Sequence, residues 1–165
     1  MRMMEDQKGR PKPLSKQQAR QKIKAYCAYQ ERSQKEVRAK LYDMGLYTAD
    51  VEETISDLIQ ENFLNEERFA IAYAGGKFRI KQWGRVKIKQ GLKLKGVPEK
   101  MINKAIYSID EDEYRATLQN ILEKKSHLIN EKEPFKKRNK LIQYAQGKGF
   151  ETDLIFLTLK SSELD

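Results

Sequence analysis

Apolar side chains recur three or four positions apart along nearly the whole chain, the period of a helix face turned toward a core. From Ser15 to Glu31, Ile23, Tyr26, Cys27 and Gln30 share one face. Ser33-Gln34-Lys35-Glu36 has the pattern of a capping box, in which the Ser hydroxyl accepts from the third backbone N–H and the Glu reaches back. It predicts a short helix carrying Val37 and Leu41 one turn apart and closed by Gly45. Thr48 is expected to cap a third helix, whose Val51, Ile55, Leu58 and Ile59 form one stripe.

The pattern then repeats. Val37 and Leu41 precede Gly45 by eight and four residues, as Ile88 and Leu92 precede Gly96 and Leu141 and Ala145 precede Gly149. Leu46, Val97 and Phe150 follow those glycines directly, and the pairs Val51/Ile55, Ile102/Ile106 and Ile155/Leu159 follow six and ten residues on. A period of about 50 residues held through three copies predicts stacked supersecondary units, each too small to bury its own face alone. The division expected is a basic mobile tail over 1–14 and three-helix repeats over 15–63, 64–109 and 110–165, all-α throughout.

Residues Lys77 to Gly96 test that reading. Arg85-Val86-Lys87-Ile88-Lys89 and Leu92-Lys93-Leu94-Lys95 alternate polar and apolar around Gln90-Gly91, which locally resembles a hairpin. The repeat places the same residues opposite the Val37–Met44 helix, so the stretch is read as a helix ended by Gly96, with Pro98 as the first residue of the next. Ile88 and Leu92 then point inward, while Val86 and Leu94 fall off the stripe. Before it, Asn65 is expected to cap a helix whose Phe69, Ala72, Tyr73, Ile80 and Trp83 form its face. Gly75-Gly76 in its middle reads as close packing or a local kink, and Trp83 as a packing residue. Asp110-Glu111-Asp112-Glu113 suits the positive end of the helix that opens the third copy.

Charge adds a partner class. The 165 residues carry a formal charge of +9, with a pI near 9.5, which favours an acidic partner such as nucleic acid or a nucleoprotein. Catalytic chemistry finds no support. One His and one Cys cannot build a metal centre or a hydrolase triad. His127 is expected on an exposed helix end and Cys27 in the core. Gly75-Gly76 lacks the spacing of a phosphate loop, and Gly147-Lys148-Gly149 reads as a helix end. A single Cys excludes an internal disulfide, and no apolar run approaches the roughly 20 residues needed to cross a bilayer. A cytoplasmic, non-enzymatic, monomeric protein without metal, cofactor or membrane association is expected.

The stretch Leu58 to Val97 resembles the central blocks of the RecX family of bacterial recombinase regulators. The residues that carry the likeness are Leu58, Phe63, Leu64, Asn65, Glu66, Arg68, Phe69 and Ala70, followed by Gly84, Arg85, Ile88, Leu92, Lys95, Gly96 and Val97. Upstream, Ser33, Glu36, Val37, Lys40 and Leu41 match a further block. Gly75-Gly76 departs from the family pattern, which commonly has longer polar or basic residues there. The resemblance implies an elongated, curved array of tandem three-helix repeats that binds the RecA recombinase–DNA filament along its groove and modulates, usually by inhibition, its ATP turnover and strand exchange in recombination and repair. It also marks Phe63, Leu64, Arg68, Phe69, Gly84, Ile88, Leu92 and Gly96 as structural.

The surface expected to meet filament acids or phosphates is basic: Lys77, Arg79, Lys81, Arg85, Lys87, Lys89, Lys93 and Lys95, with Arg85, Lys89 and Lys93 on one helix face. A merely solvated basic face is the plainer account of the same residues. A different reading is a stand-alone module that binds single- or double-stranded DNA, because the helices around Gly45 have helix-turn-helix proportions. Against it, the second of those helices, "TADVEETISDLIQE", is acidic.

Overall fold

Ser15 opens the first helix with a reciprocal capping box: its hydroxyl accepts from the Gln18 N–H at 3.2 Å, and its own N–H donates to the Gln18 side chain at 3.1 Å. The computed structural model describes residues 12–162. Among the described residues it holds nine helices and no strand: α1 Lys16–Tyr29, α2 Gln34–Asp43, α3 Thr48–Gln60, α4 Glu66–Lys81, α5 Arg85–Leu94, α6 Glu99–Tyr107, α7 Glu111–Leu128, α8 Pro134–Gly147 and α9 Thr152–Ser162. The protein is therefore all-α, three helices to a repeat.

Every apolar position of the repeat register is buried, from Val37, Leu41 and Leu46 in the first copy to Phe150, Ile155 and Leu159 in the third. The three glycines share a left-handed backbone, φ 89° at Gly45, 75° at Gly96 and 97° at Gly149. Each ends a helix in the manner glycine favours, and the next helix begins at the third residue after it: Thr48, Glu99 and Thr152. This register corrects two expected helix starts, a cap at Thr48 and a first residue at Pro98. Thr48 is the first helical residue and Tyr47 the N-cap, with no side-chain cap bond. Likewise Pro98 is the N-cap, extended at ψ 147°, and Glu99 opens the helix. The glycine turn fixes both starts by driving Leu46 and Val97 into the core directly after it.

The chain divides into two compact units, residues 1–66 and 67–165. In the first, Ala19, Ile23 and Cys27 of α1 close over Val37, Leu41, Val51, Ile55, Leu58 and Leu64. Tyr26 and Phe63 are half-buried at the edge of that core, while Gln30, expected on the buried face, is exposed. Three cations of α1 meet acids of α3 and its C-cap a turn apart: Lys16 with Glu53 at 2.6 Å, Arg20 with Asp57, and Lys24 with the capping Glu61 at 2.9 Å. The acidity of α3 is thus largely answered by α1, its neighbour. The expected tail over 1–14 needs correction at its inner end. Leu14 donates its N–H to the Met44 carbonyl at 2.9 Å, and Pro13 lies against Gly45, leaving no room for a Cβ there. Residues 1–11 of that tail lie outside the described residues.

The second unit holds the other two repeats on one continuous core, from Phe69, Ala74 and Phe78 through Ile88, Leu92 and Ile102 to Tyr114, Leu118, Leu141 and Leu159. Tyr114, fully buried, joins them: its ring lies 5.7 Å from that of Phe78 in the second repeat and 5.1 Å from that of Phe150 in the third. The Gly75-Gly76 pair leaves α4 continuous. Gly75 is buried, while a Cβ on Gly76 would meet nothing within 4 Å. Trp83 packs partly buried against this core.

Candidate functional site

The basic stretch is built around the α4–α5 junction. After α4 ends at Lys81, Gln82 takes a left-handed φ of 55° and Trp83 returns its N–H to the Lys77 carbonyl at 3.1 Å. Helix α5 then starts from Gly84, a residue without a capping side chain. Its first N–H groups, which a helix cannot satisfy itself, are taken by the third repeat. Gly84 donates to the Lys148 carbonyl at 2.8 Å, Arg85 to the Tyr114 hydroxyl at 3.0 Å and Val86 to the Gly149 carbonyl at 2.9 Å. The α8–α9 turn thereby caps α5, and a Cβ on Gly84 would collide with the backbone of Gly149 and Phe150.

Arg85 belongs to that joint. Its guanidinium lies 3.8 Å from the centre of the Tyr114 ring, donates to Glu151 at 2.8 Å and reaches Glu111. Only 19% of its side chain is exposed. The Tyr114 hydroxyl in turn donates to Glu151, and burial first, then that bond, pushes its phenol far above its ordinary pKa. The Glu111 carboxyl is held below its ordinary value by Arg115 and then by Arg85. The sequence grouped Arg85 with Lys89 and Lys93 on one outward face. In the structure its charge is engaged between repeats, and Lys89 and Lys93 stand exposed without it.

The remaining cations divide by place. On α4 and α5, Tyr73, Lys77 and Lys81 run up one flank, and Lys87 and Gly91 run along the flank facing it. A Cβ on Gly91 would collide with the Tyr73 hydroxyl, so the helices approach closely here. That approach brings two ammoniums to one indole: Lys77 Nζ lies 4.9 Å and Lys87 Nζ 4.7 Å from the Trp83 ring. Lys77 also lies 5.4 Å from the Tyr73 ring. Arg79, Lys89 and Lys93 point to solvent elsewhere, and Lys95 is half-buried at the end of α5.

One residue that the sequence reading treated only as part of a helix end joins this group. Lys148 donates its ammonium to the Lys81 carbonyl at 2.8 Å. Burial, then the nearby Lys87 and Lys81 charges, holds it below its ordinary pKa. No periodicity could have flagged it, because it arrives from the third repeat through a tertiary contact. Among the described residues, no carboxylate pairs with Lys77, Lys81, Lys87 or Lys148. Of the structural positions, Leu64, Phe69, Ile88 and Leu92 are buried, Phe63 and Arg68 are half-buried, and Gly84 and Gly96 hold turns.

Comparison with known proteins places this architecture. The family models for the first, second and third three-helix domains of RecX match residues 19–58, 65–106 and 111–159. The "regulatory protein RecX" of Clostridium perfringens strain 13 is 32% identical over 124 residues, covering 74% of this chain and 58% of that protein. The protein of that name from Clostridium tetani is 33% identical over 121 residues, covering 72% of this chain and 55% of its own length. The chain thus spans little more than half the length of these relatives. A crystal structure of RecX from Lactobacillus salivarius superposes with a TM-score of 0.83 at 23% identity, covering 91% of this chain and 97% of that one. A second RecX crystal structure gives 0.80 at 19% identity, with 88% and 71% covered; at such identities both likenesses speak for the fold. With its three domains matched in order along one polypeptide, the chain belongs to the RecX family.

Proposed function

We propose that this chain is a non-enzymatic regulator that docks on the DNA-bound filament of a RecA-type recombinase and alters its ATP turnover and strand exchange. The single observation that supports this best is the lysine-rich surface at α4 and α5 in a chain whose relatives are named regulatory proteins: Lys77, Lys81, Lys87, Lys89 and Lys93 lack carboxylate partners among the described residues. Three cations of α1 are matched by acids of α3 and its C-cap, whereas these lysines are not, so their surface offers an acidic partner charge complementarity. Repeats joined in one chain can make several weak contacts along a helical polymer, each aided by the effective concentration the others set. The direction of regulation follows from which filament state is bound more tightly, and inhibition is the expected sign.

The stand-alone DNA-binding reading has a specific difficulty. Helix α3, which would have to enter the groove, carries Asp50, Glu53, Asp57 and Glu61 toward α1, and Glu52 pairs with Arg38 at 2.7 Å. Single-strand-dependent ATP hydrolysis by the cognate recombinase, titrated with this protein at near-physiological salt, separates the two. Turnover that changes at protein concentrations well below those needed to bind naked DNA is the expected result. Unchanged turnover alongside tight, salt-sensitive binding to DNA alone would reject the filament reading.

A further inference from the structure

Four ammoniums without a carboxylate partner among the described residues, those of Lys77, Lys81, Lys87 and Lys148, gather beside the α4–α5 junction, brought there by contacts from two repeats. Two of them lie over one indole at cation–π distance. The fourth is tethered through a backbone carbonyl, with Lys87 and Lys81 close enough to oppose its charge. The negative end of α4 accounts for a cation at Lys81 or Lys148, but Lys77 and Lys87 lie on the ring and answer to no acid. Like charges held together in this way favour a ligand of high, regularly spaced negative charge. Beside them stand Ile80, in the last turn of α4 and 80% exposed, and the half-buried Trp83, whose ring already carries two of the ammoniums. Aromatic and apolar contacts next to a cationic track suit unstacked bases, which a duplex keeps inside.

We propose that Lys77, Lys81, Lys87 and Lys148, grouped around Trp83 across the second and third repeats, form a subsite for the phosphodiester backbone of single-stranded nucleic acid. The inference deepens the filament reading, on which it rests for the source of the strand, by assigning these lysines to phosphate and leaving Lys89 and Lys93 for protein contacts. Lys148 carries the particular weight: because it comes from the third repeat, the subsite exists only while the two repeats are joined.

Trp83 is the only tryptophan of the chain, so its emission reports binding at this place. In a titration of the full chain with oligothymidylate, its fluorescence is expected to change saturably. Each phosphate contact on a single strand contributes about 0.7 to the slope of log affinity against log salt. Replacing Lys87 and Lys148 together by Gln is therefore expected to lower that slope by about 1.4, and affinity at 0.1 M salt by roughly 25-fold on counterion release alone. The same pair replaced by Arg keeps its affinity, as does Lys124→Gln on the exposed side of α7. Circular dichroism establishes that each variant is folded. A folded Gln pair with unchanged affinity and slope would overturn the proposal. So would a duplex of equal length that binds as tightly and loses as much, or loss of recombinase regulation with oligonucleotide affinity intact, which would give the lysines to an acidic protein surface. The oligonucleotide titration contains no recombinase, so failure of the filament reading shows separately, as wild-type protein that leaves recombinase turnover unchanged.

Discussion

Arg85→Gln separates a structural arginine from its solvent-facing neighbours. The Glu151 pair is three-quarters removed from water, with side-chain exposures of 19% and 31%, and a charge-assisted bond of that kind contributes about 1.5–2 kcal/mol. Stacking of the guanidinium on Tyr114 adds about 1 kcal/mol. The Glu111 contact adds little, because that carboxylate is 53% exposed. The sum is about 3 kcal/mol of support for the joint between the second and third repeats. In urea, with a slope of about 2 kcal/mol per molar for a unit of this size, the midpoint should fall by about 1.5 M. Trp83 emission is the appropriate probe, since it lies in the same unit. Lys89→Gln, one turn along α5, should move the midpoint by no more than about 0.25 M, the ~0.5 kcal/mol typical of surface changes. Equal midpoints for the two variants would refute the assignment of Arg85 to the joint. Glu151→Gln tests the pairing further: combined with Arg85→Gln it should cost less than the two single effects added, because the partners share one interaction.

Other sites give sharper contrasts. Gly149→Ala forces a Cβ onto a φ of 97° with the Lys87 N–H nitrogen 2.7 Å away, and should destabilise by at least about 1–3 kcal/mol. Gly76→Ala, in open space within α4, should stabilise by about 0.5–1 kcal/mol; thermal melts of the two variants should move in opposite directions. Cys27 is buried with its thiol pushed above its ordinary pKa by that burial, so a thiol-specific reagent should react with it only as the first unit opens, and rapid native labelling would contradict its place in the core. Acidification should act with two signs. Arg38 holds Glu52 below its ordinary pKa, so the stability from that pairing is complete above the unfolded value near 4.3 and is lost as pH falls through the depressed folded value. Glu66 is raised by burial, so its ionised form opposes folding at neutral pH and the opposition fades as pH falls through its raised value. Glu66→Gln should therefore raise stability at pH 7 and lose that advantage on acidification, as followed by denaturant midpoints at each pH.

What could be read from the residues alone was set by how local the cause is. The repeat register was legible because each glycine, its flanking apolar pairs and the helix start after it lie within about three turns of chain. That register also overruled the alternation at Arg85–Lys95, whose hairpin-like pattern arises because Val86 and Leu94 are exposed apolar residues, at 44% and 75%. The expected cap at Thr48 and the expected first helical residue at Pro98 were each off by one residue, because the core position after each glycine decides where the helix resumes. The basic residues stood out in composition, but the turn of Arg85 inward, between repeats, did not. Glu111 and Glu151 lie far from Arg85 in sequence, and no spacing rule announces that they converge on it. For the same reason Lys148 was absent from the expected surface.

The cap that α8–α9 places on α5 has a consequence for the order in which the molecule is made. A chain emerging from its N-terminus completes α5 well before the Lys148 and Gly149 carbonyls exist, so during synthesis the first turn of that helix waits with its amides open to solvent. Until the closing residues arrive, the second repeat is a set of three helices with one unfinished end, and Lys87 has no neighbour at 148. Completion of the last repeat therefore finishes the one before it, and a nascent or shortened chain would present the proposed lysine surface with one of its sides missing.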